Sequence, residues 1–80
     1  MVSPLEDPSQ ALARAIRQLR EELEITQEEL AHEAGITTGT LSKIERGLAN
    51  PSWTTVERIA GALGTSVARL AAVAERFGGS

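Results

Sequence analysis

TQEELAHEAGITTGTLSKIERG, residues 26–47, is the stretch on which the fold of this 80-residue chain turns. Its apolar residues Leu30, Ala34, Ile36, Leu41 and Ile44 recur at spacings that let two short crossing helices share one core, with small Ala31 where their backbones approach. Thr26 followed three residues later by Glu29 spells a capping box, and Ile25 can staple against Leu30 across it. The first helix of the pair therefore starts near Gln27. It stops at Gly35, which can take the left-handed conformation of a helix terminator without a Cβ clash. Thr37 caps the second helix, Ile36 and Leu41 repeat the staple, and Gly47 ends it. Each helix is only about two turns long and marginal alone in water, so this helix-turn-helix must lean on other elements.

Outward from the motif, Asp7, Pro8 and Gln10 supply an N-cap, a favoured first helical residue and a capping-box partner. Leu12, Ile16, Leu19 and Leu23 then mark one face of a helix over about Pro8–Glu24. Downstream, Asn50 and Pro51 close a loop, and Ser52 caps a fourth helix whose stripe Val56, Ile59, Ala60 and Leu63 runs until Gly64. Gly61 lies inside that helix at a cost of about 1 kcal/mol relative to alanine; it marks a close helix contact or a tolerated defect, and the contact is the preferred reading. Ser66 caps a fifth helix carrying Val67, Leu70, Ala71, Val73, Ala74 and Phe77. The organisation expected is a disordered lead over 1–6, one all-α five-helix domain over 7–77 with its motif at 26–47, and a flexible tail over 78–80.

Composition agrees with packed helices. Trp53 and Phe77 are the sole aromatics, so Leu, Ile, Val and Ala must build the core. A chain this short draws only roughly 3 to 5 kcal/mol from a core, and dimerisation would help it. There is no cysteine, which removes disulfides and thiolate chemistry. His32, alone among acids, reads as a solvated surface residue and no metal site. With no paired carboxylates in a plausible cleft and no phosphate-cradling glycine loop, no acid–base or nucleophilic constellation can be drawn, so an enzyme is not expected, nor a cofactor. The start MVSPLEDPSQ lacks a secretory signal and no apolar run approaches a membrane span, which points to a soluble, cytoplasmic protein.

The net charge of −3 speaks superficially against nucleic acid. Its distribution says otherwise. Glu21, Glu22, Glu24, Glu28, Glu29 and Glu33 crowd into thirteen residues, whereas residues 37–50 hold Lys43 and Arg46 against the single acid Glu45. On a helical projection of the second motif helix, Leu41 and Ile44 point one way while Thr38, Gly39, Ser42, Lys43 and Arg46 point the other. Such a slender polar face can enter a major groove, where threonines and a lysine can meet base edges or phosphate, though the same residues would also suit a cap and a solvated face.

IRQLRE before the motif, TQEELAHEAGI and LSKIERG within it, and NPSWTTVERIAGALGTS after it resemble the phage-repressor and Cro-type, or XRE, helix-turn-helix family over about three quarters of the chain, Leu12 to Leu70. The resemblance implies a five-helix, lambda-repressor-like fold with the third helix in the major groove. It implies that Gln27 binds a phosphate and braces that helix, that Thr37 caps it and touches backbone, and that Thr38, Gly39 and Lys43 stand at base-reading positions. Gly39 departs from the long amide common there. Ser42, Thr40 and Arg46 join the candidate DNA set, as does Asn50 in the loop that meets the sugar-phosphate chain. Arg20 and Glu45 match a family ion pair tying helix 1 to the end of the recognition helix. Trp53 replaces the usual leucine and reads as a partly buried core or interface anchor.

One motif covers about half a helical turn of DNA, so a two-fold dimer on a palindromic operator is expected. Leu70, Val73, Ala74 and Phe77 of helix 5 are the expected dimer interface. The function implied is a transcriptional regulator, a repressor or controller-type autoregulator. The alternative is an antitoxin-type protein-interaction module of the same fold, with a toxin, or polymerase for a regulator, as protein partner.

Overall fold

The computed structural model describes residues 8–78. The lead over 1–6, the Asp7 cap, and Gly79 and Ser80 of the expected tail lie outside the described residues. Five helices follow one another: α1 Pro8–Glu22, α2 Gln27–Ala34, α3 Thr38–Glu45, α4 Trp53–Ala62 and α5 Val67–Gly78. Thus α5 runs one residue into the stretch read as tail.

The helix starts form where their capping residues stand. Thr26 is extended, its hydroxyl accepts from the Glu29 N–H at 3.0 Å, and the Glu29 carboxylate accepts from the Thr26 N–H at 2.9 Å, completing the capping box. Thr37, Ser52 and Ser66 accept in the same way from the N–H groups of Thr40, Thr55 and Arg69. Four helix ends share one closure, in which a left-handed residue and its successor donate back to carbonyls three and five positions earlier. Gly35, Gly47 and Gly64 fill the left-handed position after α2, α3 and α4. After α1 the position belongs to Glu24, at φ 58, with Glu24 donating to Glu21 and Ile25 to Arg20. No glycine announces that turn, and α1 accordingly stops at Glu22, two residues before the sequence-based boundary.

Ala15 and Ile16 of α1, Leu30, Ala31 and Ala34 of α2, Leu41 and Ile44 of α3, Ile59, Ala60 and Leu63 at α4, and Leu70 and Val73 of α5 form one buried cluster. α5 lies along α1, whose Ala11, Ala13 and Ala15 are all buried; α2 packs on α3 and α4, and α1 also touches α3.

Two expectations are corrected here. Leu23 leaves the α1 stripe because the helix has ended, and is exposed. Gly61 marks no helix contact: it is exposed and a Cβ there would meet nothing. The α5 residues expected at a dimer interface are engaged to different degrees in the chain's own packing. Leu70 and Val73 are buried in the chain's own core, and Ala74 and Phe77 pack partly buried against it. Ala68, Arg69, Ala71, Ala72, Glu75 and Arg76 are left outside. Among the described residues no helix is long and apolar enough to cross a membrane.

Candidate nucleic-acid interface

α3 presents one side and anchors the other. Leu41, Ile44 and Glu45 are buried, while Thr38, Gly39, Thr40, Lys43 and Arg46 are exposed and Ser42 is half-buried. Helix geometry leaves the N–H groups of Thr38 and Gly39 without an intrahelical acceptor, so they point with the positive end of the dipole out of the first turn. Thr37 is already engaged: besides capping, its hydroxyl donates to Thr40 Oγ1 at 2.8 Å, which ties the two threonines together at the mouth of the helix. A Cβ built on Gly39 would meet only Thr37 Oγ1, at 4.0 Å. Packing therefore does not demand the glycine, and its absent side chain leaves open space on the presented face.

Among the described residues one charge is buried in the core, and it ties α3 to its neighbours. The Glu45 carboxylate, 2% exposed, accepts from Arg20 Nε at 2.8 Å and from Arg20 Nη2 at 3.0 Å, a two-pronged contact, and from Gln27 Nε2 at 3.1 Å. Arg20 also donates through Nη1 to the Ile25 carbonyl at 3.0 Å. One guanidinium thus joins α1, the α1–α2 turn and the end of α3. Its hydrogen bonds to Glu45 raise the Arg20 pKa, burial opposes the rise, and the nearby charges of Glu45 and Glu21 add to it. A raised arginine gives its stability in full below the unfolded-state value and loses it only above the folded one, both more alkaline than ordinary working conditions, so the pair has no pH dependence on the arginine side there. Because Glu45 is consumed by Arg20, the outward charge of α3 is that of Lys43 and Arg46.

The half-buried Gln27 spends one N–H on Glu45, leaving the other N–H and its carbonyl oxygen. Asn50 is exposed beyond α3, and Ser9 Oγ donates to its Oδ1 at 2.7 Å. Gln10 Nε2 donates to the Gly47 carbonyl at 3.5 Å. In sequence Gln10 reads as a capping-box partner and Ser9 carries no signal, because a partner some 40 residues away leaves none locally. The N-terminal turn of α1 thereby buttresses the loop after α3. Trp53, expected to be partly buried, is 67% exposed at the start of α4. His32 is exposed, and among the described residues no group of His, Cys, Asp and Glu is placed to hold a metal.

A five-helix protein whose α2 and α3 cross through a glycine turn, with α3 offered to the outside, is a helix-turn-helix protein of the lambda-repressor-like fold. The chain belongs to the helix-turn-helix (XRE-type) family, whose sequence pattern matches residues 16–70. The immunity repressor protein of Bacillus phage phi105 is 39% identical over 59 residues, which are 74% of this chain and 41% of the phage protein. The chain thus spans about two fifths of that relative's length. An uncharacterized HTH-type transcriptional regulator of Methanothermobacter thermautotrophicus is 49% identical over 49 residues, 61% of this chain and 71% of the other. Among solved structures, the clp gene regulator ClgR of Corynebacterium glutamicum superposes with a TM-score of 0.87 at 33% identity, covering 91% of this chain and 78% of that one. The restriction-modification controller protein C.AhdI of Aeromonas hydrophila gives 0.76 at 27% identity, over 78% of this chain and 94% of its own. These relatives are named as regulators and not as enzymes.

Proposed function

We propose that the chain is a sequence-specific, double-stranded DNA-binding transcriptional regulator, a repressor or controller-type autoregulator, that binds a palindromic operator as a dimer with α3 in the major groove. The observation that carries this reading is the exposed set Thr38, Gly39, Thr40, Lys43 and Arg46 on a helix whose opposite side is fixed by Leu41, Ile44 and Glu45. Thr38 and Lys43 read base edges, a threonine methyl against a thymine methyl and the ammonium against guanine acceptors. Ser42 gives a secondary contact, and Gly39 lets the backbone come close. Gln27, Thr37, Thr40, Arg46 and Asn50 hold phosphates and set register. The Arg20–Glu45 pair orients α3 without touching DNA. The names of the phage immunity repressor and the controller protein support repression and autoregulation.

Selection of bound sequences from a random duplex pool tests the reading. The wild type should return a two-fold symmetric motif, and Lys43→Ala should lose preference at one base pair of each half. Recovery of no motif by the wild type overturns specific regulation, while an unaltered motif in Lys43→Ala moves that residue from bases to phosphate.

A further inference from the structure

Among the described residues three large apolar side chains stand in water: Leu23, Leu48 and Trp53. Leu48 and Trp53, 64% and 67% exposed, flank the loop that leaves α3 and enters α4, on either side of Asn50. Leu48 has a particular claim to be inside. It occupies the position just after the left-handed closing residue of a helix, donating to the Lys43 carbonyl at 2.9 Å. An apolar residue there ordinarily folds back on its own helix. Ile25 and Ile36, at the same position after α1 and α2, pack against the core. Leu48 does not, and the sole tryptophan stands exposed five residues on.

We infer that Leu48 and Trp53 form the contact between two copies of this chain, and that the contact assembles on DNA rather than beforehand. This rests on the DNA-binding reading above. Three observations select a second copy as the occupant. Half-sites one helical turn apart put the recognition helices about 34 Å from each other, so the two-fold axis passes about 17 Å from the middle of each. An eight-residue helix is about 12 Å long, so the loop following α3 lies within that reach. The exposed residues of α5 are alanines and charges, and none of them is a large apolar side chain. Both residues also belong to the segment that carries the proposed DNA contact Asn50, so docking on neighbouring half-sites turns this segment of one copy toward that of the other.

Area decides the order of events. One Trp and one Leu per copy cover a few hundred Å² at most, short of the roughly 1,000 Å² of a stable free interface. Held at high effective concentration on one duplex, the same contact suffices. Occupancy of the operator then rises steeply with protein concentration, as an autoregulator requires.

Trp53, as the sole tryptophan, reports the event itself. Its emission and acrylamide quenching are measured in free wild-type protein, on the selected two-fold duplex, on a duplex carrying one half-site, and on one with about half a turn inserted between half-sites. The inference expects a monomer by sedimentation at micromolar concentration, and Trp53 shielded and blue-shifted only on the correctly spaced duplex. Leu48→Ser should remove the shielding and weaken full-site binding at least about tenfold while half-site affinity stays unchanged. Shielding on the half-site overturns the inference by placing Trp53 against DNA. Binding to the full site without shielding, or a stable free dimer with Trp53 still quenchable, overturns it as well and leaves DNA recognition standing. Failure to bind any duplex overturns the DNA-binding reading first, and this one with it.

Discussion

Removing Arg20 should destabilise this fold as severely as truncating a core leucine. Arg20→Met strands Glu45, 2% exposed, with Gln27 as its remaining donor in place of three hydrogen bonds. A buried carboxylate left without its cation costs about 3–5 kcal/mol, comparable with the whole net stability of a domain this size. The reverse change is milder. Glu45→Leu leaves Arg20, 14% exposed and still bonded to the Ile25 carbonyl, so a loss of about 1–3 kcal/mol is expected. Combining the two replaces the pair by apolar groups of similar size and should return to within about 1 kcal/mol of wild type, since a buried pair is worth little against such a replacement. Urea unfolding followed by circular dichroism measures all four corners, in a Gly61→Ala background if Arg20→Met lacks a folded baseline. If the single losses simply add in the double variant, the coupling inferred from the geometry is refuted. Operator affinity separates orientation from stability: the double variant should stay folded yet bind more weakly, because α3 has lost its tie to α1.

The remaining expectations concern backbone positions. Gly61→Ala fills open space on an exposed helix face and should stabilise by about 1 kcal/mol, raising Tm by about 4–8 °C in calorimetry. Glu24→Gly relieves a left-handed side chain at φ 58 but loosens the unfolded chain, so chemical denaturation should show a net gain of at most about 1 kcal/mol. Gly47→Ala should cost about 1–2 kcal/mol, as its Cβ takes a left-handed backbone at φ 72 and meets the Gln10 amide; repeating it on Gln10→Ala should recover the steric share. Gly39→Ala should stabilise the free protein slightly and yet lower operator affinity in gel-shift titrations, the opposite signs that a glycine kept for a close approach of DNA would give.

Residues 26–47 carried the helix-turn-helix in full because each of its instructions is local. A cap is a hydroxyl three residues from an N–H, a terminator is a glycine that accepts positive φ, and the apolar period is fixed by helix geometry. Thr26, Gly35, Thr37 and Gly47 are therefore legible in sequence, and so are Thr38, Gly39, Lys43 and Arg46 as outward residues. Glu24 defeated the same reasoning, since left-handed backbone on a glutamate follows from where α2 must begin and not from the residue.

The rest required the packed molecule. Whether Leu70 and Val73 face a partner or a core depends on where α1 lies, and α1 covers them; the periodicity of α5 is the same in either case. Trp53 reads in sequence as a partly buried core or interface anchor, and the position of α4 leaves it out of the core. The bonds from Ser9 to Asn50 and from Gln10 to Gly47 join residues far apart in sequence, and only folding brings them within reach. By itself the sequence determined the five helices, the ends that a cap or a glycine marks, and the face of α3. Tertiary structure decided which apolar residues remain free, because burial depends on every element at once, while caps and periods depend on a few neighbours.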